Sequence, residues 1–169
     1  MKKNKIIISV SLIFLSACGY HFSGAGKLPT GVQKICITML KNNTGEFGVE
    51  VIATNALIYE FSRNGVAVVR DADMADAVLS GSVSSLRTET IARKTSNIST
   101  ERRVYVNLDL KMMTSSGRII WSGRGITDRE TYRATSGSDS PTDMNKKRAV
   151  EDLLNRLSET VYQRITDDF

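Results

Sequence analysis

VYVNLDLKMM, residues 104–113, alternates apolar and polar side chains along nearly its whole length. A β-strand sends successive side chains to opposite faces, so this period of two describes a strand with one dry and one wet face. Val104, Val106, Leu108, Leu110 and Met112 fall on the dry side. Tyr105, Asn107, Asp109, Lys111 and Met113 fall on the wet side. A sheet containing such a strand needs a cover on one face only, and the cover must come from elsewhere in the chain.

Downstream, Ser115-Ser116-Gly117 predicts a turn into a further strand over Ile119 to Tyr132, forming a meander. Within it, Gly123-Arg124-Gly125 lacks the third glycine and the strand-to-helix setting of a nucleotide loop, and reads as a strand kink. A polar loop, residues 133–138, precedes Ser140-Pro141, which has the form of an N-cap followed by proline in the first helical position. Val150, Leu153, Leu154, Leu157, Val161 and Ile165 then make one stripe over four turns of helix.

Upstream, Val78 to Ile91 reads as a long polar strand. Residues 35–40 alternate with a period of two, Lys41-Asn42-Asn43-Thr44-Gly45 is a turn cluster, and Val49 to Phe61 carries helical spacing closed by Asn64-Gly65. Val66 to Val69 is a short apolar strand, and strand–helix–strand at this length predicts a right-handed crossover. The expected fold is therefore α+β. It is a single two-layer domain over residues 32–169, a mixed four- to five-stranded sheet with two helices on one face, and the other face polar and uncovered.

The first residues have a different character. Lys2, Lys3 and Lys5 precede an apolar run, Ile6 to Leu15. Ten helical residues span about 15 Å, half of a hydrocarbon core of about 30 Å, so this is the pattern of an export signal rather than a membrane span. Leu15-Ser16-Ala17-Cys18 resembles the bacterial lipobox, in which the cysteine becomes the acylated first residue. One acyl chain anchors only marginally and two or three anchor stably. The expectation is a signal peptide over residues 1–17, lipidation of Cys18, a glycine-rich tether over residues 18–31 and then the domain. Gly19, in place of an aspartate, is permissive for the outer membrane.

Loss of the leader also changes the charge. The full chain carries 23 basic and 18 acidic side chains, a net of +5, and loss of three lysines leaves 20 against 18. A nucleic-acid role loses its main support. With Cys18 acylated, Cys36 has no partner for a disulfide or a zinc site and reads as a small core side chain. Asp71, Asp73 and Asp76 fail the calcium-loop pattern, because its sixth and twelfth positions would be Asp76 and Ser82. They read as turn and capping carboxylates. The single histidine, His21, lies on the tether, a poor place to hold a catalytic base. No catalytic residue, metal site or cofactor is expected.

What remains is a set of basic residues near loops. Arg93 and Lys94 sit at the far end of the hairpin between the two long strands, with Arg102 and Arg103 on its return arm. Arg129 and Arg133 end the last strand, and Lys146, Lys147 and Arg148 open the final helix. Guanidinium forks match phosphate oxygens, so a lipid with phosphates on a sugar headgroup is the matching class of anion.

Several segments together resemble one family. Cys18-Gly19-Tyr20-His21-Phe22 is similar to the Cys-Gly-aromatic start of the LPS-assembly lipoprotein (LptE) family. ITMLKNNT (37–44) and EVIATNALIYEFSRNG (50–65) resemble its first strand and helix, and ADAVLSGSV (75–83) and GRIIW (117–121) its later strands. The resemblance implies an outer-membrane lipoprotein that plugs the lumen of the β-barrel LPS-assembly protein (LptD), facing the periplasm or barrel lumen. It further implies binding of lipopolysaccharide (LPS) by basic residues at Arg93 or Lys94 and at Arg133. A plug in a wet lumen needs a polar surface over its own dry core.

A competing reading is a periplasmic adaptor that activates a cell-wall synthase. It shares the lipobox and a strand followed by NNTG. A tether of about a dozen residues reaches at most about 40 Å, short for an adaptor that must reach the peptidoglycan layer.

Overall fold

The computed structural model describes the backbone of residues 28, 29, 31–93, 99–135 and 139–167, and their side chains apart from residues 92, 93, 99, 100, 135, 139 and 140. The leader, Cys18, the tether as far as residue 27, and Lys94 lie outside the described residues. In chain order the elements are β1 (Lys34–Ile37), β2 (Lys41–Asn42), α1 (Val49–Arg63), β3 (Ala67–Val69), a 3-10 turn (Ala72–Met74), β4 (Ala77–Arg93), β5 (Ser99–Thr114), β6 (Ile119–Thr135) and α2 (Asp139–Asp167).

The strands form one mixed sheet in the order β3-β1-β4-β5-β6, with β2 also paired to β4. β1 and β2 lie one after the other along the same edge of β4, Ile35 opposite Ala77 and Lys41 opposite Ser82. Six strands thus fill five positions, one strand more than the alternation pattern predicts. The split has a local cause. The Thr54 hydroxyl of α1 accepts a hydrogen bond from the Leu40 amide at 3.1 Å while donating to the Glu50 carbonyl at 2.6 Å. Between β1 and β2, Thr38 still donates its amide to the Leu79 carbonyl of β4 at 3.0 Å, and Leu40 turns its amide to the helix. The predicted turn follows at once: the Asn42 side-chain carbonyl accepts from the Thr44 amide at 2.9 Å, an Asx turn.

β4, β5 and β6 are long antiparallel partners. Beyond Val83, β4 has no partner on its outer edge among the described residues, so the distal halves of the three strands make an arm. The five dry-side residues of β5 are all buried. The Gly123–Gly125 kink is a β-bulge: Arg124 and Gly125 together oppose Asp109, Gly125 has φ +63°, and its amide donates to the Asp109 carboxylate at 2.7 Å.

Helix α1 ends as its sequence predicts. The Gly65 amide donates to the Ser62 carbonyl at 3.0 Å and the Val66 amide to the Phe61 carbonyl at 3.1 Å, with φ of +81° at Gly65. That is a Schellman stop, which only glycine adopts without strain. In α2 the whole stripe from Val150 to Ile165 is buried, each leucine or valine contributing about 1.5–3 kcal/mol of transfer free energy. The two helices meet through Phe61 and Tyr162, edge to face at 5.3 Å, and through the Arg63–Glu159 ion pair at 3.0 Å. α2 also packs on β6 and β5, and α1 on β1 to β4, so both helices cover the same face.

Two of the three acids, Asp71 and Asp76, do cap and clamp backbone. Asp71 accepts from the Asp73 amide at the 3-10 turn, and Asp76 accepts from the Gln33 and Lys34 amides at 2.9 and 2.8 Å. Cys36 is buried in the core, its thiol donating to the Arg70 carbonyl at 3.5 Å.

Candidate anion-binding surface

The distal arm, the end of β6 and the start of α2 converge at one pole of the molecule. Arg93 ends β4 in register with Thr100, and Thr100 pairs with Ala134. The backbones of Arg93 and Arg133 therefore flank β5, about 10 Å apart by strand spacing. Arg133 is exposed, and its carbonyl accepts from the Asn145 side chain at 2.9 Å, which ties the strand end to the first turns of α2. A groove of about 240 Å³ runs between them, lined by Tyr132, Arg133, Asn145, Arg148 and Asp152 among others.

The other basic residues of the sequence reading divide. Lys146 pairs with Glu46 in the loop before α1, and Lys147 lines a second groove there with Phe47 and Ile52. Arg102 is in register with Tyr132 and so takes the helix side of the sheet. Arg103 and Arg129 take the uncovered side. Lys94 lies outside the described residues.

The uncovered face carries more than the loop residues suggested. Residues directly opposite in an antiparallel pair share a face. Tyr105 is in register with Arg87 on one side and Arg129 on the other, Arg103 with Glu89 and Thr131, and Arg133 with Glu101. Four arginines thus share this face with two glutamates. The Arg87 guanidinium lies 4.5 Å from the centroid of the Tyr105 ring, a cation–π contact. Its nearest acid, Glu89, is 3.7 Å away, beyond hydrogen-bond reach. Arg129 and Arg133 make no side-chain ion pair among the described residues. The acids of the helix side, by contrast, are satisfied: Arg156 of α2 bridges Asp128 at 3.0 Å and Glu130 at 2.8 Å.

Arg87 and Tyr105 escaped the sequence reading because they are 18 residues apart and neither is at a loop. An unbroken hairpin register from Arg93 and Thr100 would have set Val106 opposite Arg87; the bulge in β4 after Thr90 sets Tyr105 there instead, and a second follows Val83. Among the described residues no helix is long and apolar enough to cross a membrane.

The helix-backed sheet defines an α+β domain whose fold is also that of solved bacterial lipoproteins. A minor lipoprotein from Acinetobacter baumannii matches with a TM-score of 0.60 at 16% identity, over 83% of this chain and 95% of that one. An uncharacterised lipoprotein B from Nitrosomonas europaea matches with a TM-score of 0.53 at 11% identity, over 85% and 87% of the two chains. At these identities the likeness is one of fold. No curated protein matches by sequence. The family model for LptE, lipopolysaccharide-assembly, matches residues 32–169, and the chain belongs to that family.

Proposed function

We propose that this protein is the lipid-anchored, non-catalytic partner of an outer-membrane β-barrel LPS-assembly protein (LptD). Residues 1–17 direct export, Cys18 takes the acyl chains, and residues 18–31 tether the domain to the outer membrane. The domain sits in the barrel lumen, binds LPS and helps to insert it into the outer leaflet. The family match over residues 32–169 carries this reading.

The polar face of the sheet, which no helix covers among the described residues, supports it physically, since a plug in a wet lumen must be stable with that face uncovered. Arg133 at the end of β6, whose backbone lies near that of Arg93, supplies donors for phosphates on the LPS headgroup in this reading, with Arg93 and Lys94 assigned the same role. Their role is to hold and orient the lipid; no covalent bond in the lipid is broken.

A crosslinking pull-down from outer membranes, with identification of the partner by mass, tests the reading. The expected partner is a large β-barrel. Recovery of a cell-wall synthase in its place would show an adaptor and overturn the plug.

A further inference from the structure

We propose that the open sheet face carries a second anion subsite, formed by Arg87 and Arg129 on either side of Tyr105, which takes a phosphate monoester on a sugar headgroup. The inference rests on the reading that the basic pole binds a phosphorylated lipid, and it adds where the second phosphate goes.

Three observations converge. First, the Arg87 guanidinium, with its N–H groups, lies over the Tyr105 ring, its central carbon 4.5 Å from the ring centroid. Those N–H groups have no acceptor within hydrogen-bond distance among the described residues, the Glu89 carboxylate being 3.7 Å from Nε. Second, Arg129 stands in register on the other side of Tyr105, exposed and with no acid paired to its side chain. Arg87 and Arg129 are two strand spacings apart at the backbone, about 10 Å, so their long side chains can converge on one anion over the ring. Third, Arg133 lies four residues further along β6, about 13 Å away, toward the basic pole. A disaccharide phosphorylated at both ends spans that separation. One phosphate at Arg133 and one at the Arg87–Arg129 pair would lay the headgroup flat along β6.

The test uses the full-length acylated protein in non-ionic detergent. The probes are a water-soluble glucosamine disaccharide bisphosphate, its monophosphate, the unphosphorylated disaccharide, inorganic phosphate, and intact LPS. The wild type is expected to bind the bisphosphate more tightly than the monophosphate. The double variant R87Q/R129Q is expected to lose roughly tenfold in bisphosphate affinity and to bind it no better than the monophosphate. Glu89→Gln, which removes the competing carboxylate, is expected to tighten bisphosphate binding. Should the double variant fold poorly, arginine Nε shifts at Arg87 and Arg129 on titrating the wild type give the same answer.

Equal binding of both phosphorylated probes, or wild-type affinity in a folded R87Q/R129Q protein, overturns the subsite. If LPS binding falls in Arg133→Gln but not in R87Q/R129Q, the subsite fails while the functional reading stands. If the wild type binds no LPS at all, both fail. If R87Q/R129Q loses only the barrel partner and keeps LPS, the face is a protein interface and the proposal is wrong.

Discussion

Gly81 of β4 packs so closely against β5 that a Cβ on it would stand 2.1 Å from the carbonyl oxygen of Asp109 and 2.8 Å from Leu110 Cδ2. The nearer obstacle is backbone, which cannot rotate away. Gly81→Ala is therefore expected to cost at least about 1–3 kcal/mol, the usual range for overpacking a filled site. Chemical denaturation of the variant measures it, and an unchanged midpoint would exclude the close approach.

Asp76 joins the start of β1 to the end of the loop before β4 by accepting from two backbone amides. Those amides hold its carboxyl below the ordinary carboxylate value, and the Lys34 charge adds a little to the effect. A carboxylate with a depressed folded-state value stabilises the fold fully above the ordinary value. That contribution disappears as pH falls through the depressed value. Asp76→Asn should therefore be less stable than wild type at neutral pH and equal to it in strong acid. Parallel urea titrations at the two pH values check this, and a gap that widens in acid would contradict it.

Burial, and then the nearby Asp71 charge, push the Cys36 thiol above its ordinary value. The thiolate is the reactive form, so native Cys36 should resist alkylation at neutral pH and react only when the domain opens. Iodoacetamide labelling with and without denaturant reads this directly. Rapid labelling of the native protein would place the thiol at the surface.

Reversal of charge at the pole should affect binding and leave folding alone. Arg133 is exposed, and its side chain makes no ion pair among the described residues. Arg133→Glu, and separately the pair Arg93→Glu with Lys94→Glu, are each expected to weaken LPS binding roughly tenfold, since each removes charge-assisted donors and adds repulsion. The melting temperature should hold. A fall in Tm with binding retained would assign these residues to structure.

The proposed anchor is covalent, so its test is chemical. Cys18→Ser should abolish palmitate incorporation and release the protein from the membrane fraction, because no other acyl attachment site is proposed. Labelling that persists in this variant would place the lipid elsewhere.

The local elements were legible in the chain because their signals are local. The alternation over residues 104–113 marks β5 and its buried side, the stripe from Val150 to Ile165 marks α2, and Asn64-Gly65 marks the stop of α1. Each depends on side chains within a few turns or pleats of one another, where period and backbone conformation coincide. The bulge at Arg124-Gly125 was legible as a kink for the same reason, glycine being the residue that tolerates it.

The lateral arrangement was not legible. That β2 resumes the edge begun by β1 depends on one hydroxyl, Thr54, reaching the Leu40 amide from a helix that follows in the chain. That Arg87, Tyr105 and Arg129 form one row depends on the bulge in β4 after Thr90 and the pairings of three strands. From the amino-acid order alone came the inventory: a one-sided sheet, two covering helices and a family resemblance, together with the proposal of an export leader and an acylated Cys18. Which polar residues stand together on the uncovered face was decided only on folding. Strand register is set by contacts between segments far apart in the chain, and a one-residue slip would send each of those side chains to the opposite face.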